Sequence, residues 1–123
     1  MKKIIITVEE ISMTATLNNS DTAEKIYDAL PFEGIANTWG DEVYFNIPVS
    51  LDQEPDARAD VEVGELGYWP VGSAFCIFFG PTPVSKDEKP RAASPVNIFG
   101  KVEGDPLVLK RVPGGAIVKV AKQ

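Results

Sequence analysis

The stretch Ser73–Phe79, SAFCIFF, constrains this chain more than any other. An extended strand sends successive side chains to opposite faces. One face here carries Ser73, Phe75, Ile77 and Phe79, and the other carries Ala74, Cys76 and Phe78. Both faces are apolar, so both call for cover. One belongs in a core. The second needs a helix, a loop, a ligand or another subunit over it.

The surrounding sequence supplies mostly strands. Lys3–Val8 is rich in isoleucine, and Ile11, Met13, Ala15 and Leu17 alternate with polar residues, so the two read as a hairpin turning at Glu9 and Glu10. Ser20 and Asp21 open a helix in which Ala23, Ile26, Tyr27 and Leu30 form one stripe; Asp21 and Glu24 have capping-box spacing, and Pro31 ends it. After a turn at Trp39-Gly40-Asp41, Val43, Phe45 and Ile47 mark a half-buried strand that stops at Pro48. Residues 49–60 read as a polar, acidic loop, since they lack the glycine and terminal glutamate of a calcium loop. Short strands are expected at Val61–Val63, Gly67–Pro70, Ser73–Phe79, Val96–Phe99 and Ala116–Ala121, with a long proline-containing loop over 80–95. Residues 105–111 suit a short helix, capped by Asp105 with Pro106 in its first turn, and fit a strand equally well. Many short strands with one or two short helices predict a mainly β, closed barrel formed by a single domain over 1–123.

Composition narrows the chemistry. The chain has no histidine and one cysteine, so it holds no Ser-His-Asp or Cys-His machinery, no internal disulfide, and no expected metal site. A net charge of −6 opposes nucleic-acid binding. No segment reaches the length of a membrane span and the first residues do not resemble a signal peptide, so a cytoplasmic protein is expected, with no membrane partner and no cofactor.

Candidate binding residues gather around the doubly apolar stretch. Tyr68 and Trp69 pair apolar rings with polar atoms, and Pro70 stiffens the chain beside them. Phe45 and Phe79 could complete an aromatic pocket. Arg91 and Asn97 border the long loop and the following strand, and Arg91 could polarise a carbonyl at the pocket mouth. Cys76, with apolar neighbours, reads as an inert buried thiol. Asp41 and Glu42 are adjacent, so on a strand they face apart and are poor candidates for paired acid–base work.

Three stretches, NTWGDEVYFNIPV (37–49), DVEVGELGYWPVGSAFCIFFGPTP (60–83) and SPVNIFGKVEGDP (94–106), together resemble the small bacterial and archaeal cyclophilin-like proteins, which are single-domain barrels. Phe99-Gly100-Lys101-Val102 is also similar to a run in true cyclophilins that leads from a barrel strand into a helix, which favours a helix at 105–111. True cyclophilins are prolyl cis–trans isomerases with an apolar proline pocket, an essential arginine and a nearby glutamine. Their arginine belongs to a phenylalanine-histidine-arginine strand motif. The corresponding region here, Gly67 to Phe79, has no arginine, and Val96 stands where a family histidine falls. The resemblance therefore implies a fold more than an activity. The expected function is binding of a peptide or small molecule at Phe45, Tyr68, Trp69, Phe79, Arg91 and Asn97. The alternatives are weak prolyl isomerisation, with Arg91 as the candidate catalytic residue, and a structural or regulatory subunit that uses the second apolar face against a protein partner or a second copy.

Overall fold

The computed structural model describes residues 2–123. Its strands are β1 (Lys3–Val8), β2 (Ile11–Leu17), β3 (Phe32–Ile35), β4 (Asn37–Thr38), β5 (Glu42–Asn46), β6 (Arg58–Asp60), β7 (Glu65–Trp69), β8 (Ala74–Phe78), β9 (Arg91–Val102) and β10 (Ile117–Lys122). One helix, α1 (Asp21–Ala29), follows β2, and a 3-10 helix, Pro106–Arg111, precedes β10. The strands pair in the order β3-β10-β1-β2-β9-β7-β8-β5-β4, with β6 added on β9.

The mainly β architecture agrees with the sequence, but the barrel is not closed by a hydrogen-bonded ladder. β3 stands at one end of the strand order and β4 at the other. These two strands are consecutive in the chain, separated by Ala36 alone. The covalent chain therefore crosses the gap. Ala36 fastens the crossing: its N–H donates to the Ala116 carbonyl at 2.7 Å and its carbonyl accepts from Gly115 N–H at 2.8 Å. Where β3 passes β5, a Cβ on Gly34 would lie 2.8 Å from Phe45 Cδ2 and 3.0 Å from the Asn46 carbonyl oxygen. Only glycine permits that approach.

The interior is aromatic at its centre. Phe75 of β8 stacks on Phe45 with centroids 4.9 Å apart and meets Phe99 edge-on at 5.0 Å. Ile4, Ile6, Leu66 and Val118 close around them. Helix α1 adds Ala23 and Ile26 to the same core. Its cap is Ser20, whose Oγ accepts from Ala23 N–H at 3.1 Å. Asp21 is thus the first helical residue rather than the cap, and its charge favours the positive helix end.

Several boundaries differ from the sequence reading. Ser73 does not begin β8, because it adopts a left-handed conformation with φ 47° that ends a short 3-10 turn. The strand expected at Val61–Val63 lies three residues earlier, at Arg58–Asp60. β9 begins at Arg91, so the connecting loop is shorter than 80–95, and its two ends are tied by Thr82 Oγ1 donating to the Arg91 carbonyl. β3 alternates between half-buried and exposed positions over only four residues, with a glycine on its inner side and Ile35 exposed, and β4 is two exposed polar residues, which hides both from hydrophobic periodicity.

Gly34→Ala is expected to destabilise the fold by about 1–3 kcal/mol, because the added methyl overlaps Phe45 and backbone that cannot retreat. Urea unfolding reads this directly, and an unchanged midpoint would contradict the tight crossing.

Candidate functional site

The second apolar face of β8 is covered by the chain itself over most of its area. Ala74, Cys76 and Phe78 pack with Val61, Ala92 and Val96 in a second core outside the barrel interior. A bulge makes this possible. Leu66 pairs with Gly100 while the next residue, Gly67, pairs with Ile98. That shift changes the phase of β9, so Phe99 enters the interior and Val96 reaches the outer face. Gly67 makes room, since a Cβ there would lie 2.7 Å from Val96 Cγ2.

The cover is incomplete, and the gap is a cavity of about 270 Å³. β5 lays Glu42 and Tyr44 along it, and Trp39 stands at the turn before that strand. Across the ladder, Tyr44 pairs with Cys76 and Cys76 with Gly67. Trp69 of β7 forms one wall, and Ala92, Ala93 and Val96 of β9 form another. The Trp69 indole is fixed from two sides. Its Nε1–H donates to Ser94 Oγ at 2.6 Å, and its ring lies against Gly72, where a Cβ would come within 2.8 Å of Cε3.

Glu42 is the one carboxylic acid in this lining and is only 6% exposed. Burial raises its pKa from an ordinary 4.5 to about 7, a shift partly offset by the neighbouring Cys76 thiol. The thiol is itself pushed well above its usual value, first by burial and then by the neighbouring Glu42 charge. Cys76 is therefore a neutral donor rather than a nucleophile.

The structure separates the residues singled out from sequence. Trp69 lines the cavity. Phe45 and Phe79 are buried in the barrel core. Tyr68 is also fully buried, and its hydroxyl donates to the Val49 carbonyl at 2.7 Å and accepts from Leu51 N–H at 3.1 Å. Asn97 is fully buried as well. Its Oδ1 accepts from Glu54 N–H at 2.8 Å, and its Nδ2 donates to the Asp52 carbonyl at 3.0 Å and to Thr22 Oγ1 at 3.1 Å. Tyr68 and Asn97 thus fasten the acidic 49–57 loop to the barrel and to α1. Arg91 lies in a different groove, paired with Asp60 at 3.2 Å. Trp39, Glu42, Tyr44 and Cys76 were not anticipated as a group. The available signal was that Glu42 and Tyr44 share the strand face opposite Val43 and Phe45.

The sequence pattern of the Cyclophilin-like family matches residues 2–121. The chain belongs to this family. The solution structure of the hypothetical protein AF2241 from Archaeoglobus fulgidus is similar over 99% of this chain and 95% of its own, with TM-score 0.84 and 37% identity. The structure of McbB in complex with tryptophan shares the fold, with TM-score 0.74 and 18% identity over 98% of this chain. The chain spans 44% of McbB. None of the curated proteins matches the sequence.

Two outcomes are expected. The raised Glu42 pKa means that the folded state holds its proton more tightly than the unfolded chain. Its contribution is therefore fully present below about pH 4.5 and is lost as pH rises to about 7. Glu42→Gln is expected to become more stable relative to the native protein by up to about 3 kcal/mol between pH 4.5 and pH 8. Urea midpoints at the two values measure this, and a constant difference would contradict the buried carboxyl. Asn97→Leu is expected to cost about 3 kcal/mol, since it removes the hydrogen bonds of three partners on two segments, the 49–57 loop and α1. Its unfolding midpoint and amide exchange over 49–57 check this.

Proposed function

We propose that the protein is a binding module that takes a small apolar or aromatic ligand in the cavity between Trp39 and Trp69. The observation that carries this reading is an aromatic-walled hollow containing a single buried carboxyl group. Such composition, mostly apolar with few placed polar groups, is typical of ligand sites. The Trp69 wall is held in place before any ligand arrives, which lowers the ordering cost of binding. The cavity lies on the second face of β8, where the sequence demands cover and the fold leaves some unsupplied. A proline-bearing peptide side chain would meet the same apolar walls. Prolyl isomerisation needs in addition a donor to the prolyl nitrogen, and Arg91 is turned to Asp60.

The test is an NMR titration with 2-phenylethanol, indole and a proline-containing tetrapeptide, following the indole N–H signals of both tryptophans. Saturable shifts at Trp39 and Trp69 are expected for at least one of the three probes. Trp69→Ala is expected to weaken binding at least about tenfold, a loss of ~1.4 kcal/mol. Exchange spectroscopy on the tetrapeptide is expected to show no faster cis–trans interconversion. Silence at both indoles would contradict the reading.

A further inference from the structure

We propose that the cavity selects a small arylalkylamine in its protonated form, with Glu42 as counter-ion to the ammonium and Trp39, Tyr44 and Trp69 around its apolar stem. This rests on the cavity being a ligand site. Buried carboxyls in folded proteins are ordinarily paired with a cation. Glu42 is not. The ion pairs among the described residues are Lys3–Glu103, Arg58–Glu65, Lys89–Glu62 and Arg91–Asp60. A buried acid with no cation of its own, opening into an aromatic hollow, is a site for a cation from outside. Indole and phenol faces attract ammonium groups, and most strongly where water is excluded. The chain's net charge of −6 draws cations and repels carboxylates and phosphates.

Size favours a small molecule. The cavity of about 270 Å³ equals the liquid volume of roughly nine waters, enough for a ring with a short stem. Above about pH 7, where Glu42 is ionised in the free protein, its desolvation has already been met, so an incoming ammonium loses little beyond its own hydration. No neighbouring charge competes for it. Cys76 faces Glu42 from β8 and Tyr44 follows it on β5, while β7 and β9 present Trp69 and aliphatic side chains. Asp41, in the preceding turn, lies against Gly80 instead. The ammonium pairs with the ionised carboxylate, and burial holds the free acid near neutrality. Affinity therefore rises with pH up to about 7, and binding below that value releases a proton.

NMR titrations of the native protein and Glu42→Gln with 2-phenylethylamine hydrochloride and 2-phenylethanol test this. For the native protein at pH 8, the amine is expected to bind at least about tenfold tighter than the alcohol, as a charge-assisted hydrogen bond implies. Its affinity is expected to fall toward that of the alcohol by pH 5, at least about tenfold, as Glu42 becomes protonated. In Glu42→Gln the two ligands become equal within about twofold, while alcohol binding persists and shows that the cavity is intact. Equal binding of amine and alcohol to the native protein would overturn the inference and leave the cavity reading standing. Silence from both at the indoles would remove the cavity reading as well. Tighter binding of N-acetyl-lysine N-methylamide than of the arylalkylamine would overturn the small-amine assignment in favour of a peptide side chain.

Discussion

Burial of both faces of β8 is the constraint from which the rest of this molecule follows. Phe75 on the inner face, stacked on Phe45 and edge-on to Phe99, organises the barrel interior. Ala74, Cys76 and Phe78 on the outer face require a second layer, which β9 supplies only because the bulge opposite Gly67 changes its phase. Without that shift, Val96 would point inward and the outer face would lie open to water. A single irregularity in the ladder therefore joins two cores. The glycine that permits it has no side chain to offer either of them.

The cavity is a consequence of the same arrangement. A second layer built from one strand arm and a short segment around Val61 cannot cover all of the outer face. The uncovered part borders β5, whose outward residues are Glu42 and Tyr44. An acid at that position is dry on most sides, and that burial accounts for its raised pKa without any charged neighbour, the neutral Cys76 thiol acting in the opposite direction. The two tryptophans and Tyr44 wall it from the remaining directions. Stability and recognition meet at Glu42, because the burial that makes its ionisation costly also leaves it ready for an external cation.

Much of the fold was legible in the sequence. The β1–β2 hairpin, α1 and the β5 alternation follow from period, capping and turn chemistry, whereas residues 105–111 fit helix and strand equally and only the family resemblance favours the helix. Phe32–Ile35 and Asn37–Thr38 were illegible because their role is to carry the chain across a gap, which requires close backbone approach at Gly34 rather than an apolar face. The same crossing explains why a barrel was expected to close by pairing and instead closes through the chain. At the site, Trp69 was visible as an amphipathic aromatic beside proline. Tyr68 and Asn97 were visible as polar groups near the right strands, but sequence does not reveal that their hydrogen bonds are consumed by the 49–57 loop. Glu42 was set aside because it was weighed only as a partner of Asp41, and adjacent carboxylates on a strand face apart. Its burial depends on pairing between β5 and β8, a non-local fact.

The central claim is that the outer face of β8 is a dry site with Glu42 inside it. The most direct measurement is a carbon-13 NMR titration of the Glu42 side-chain carboxyl in the free protein. A midpoint near pH 7 is the predicted result. A midpoint in the ordinary carboxylate range, about 4–4.5, would place the group in water and contradict the account.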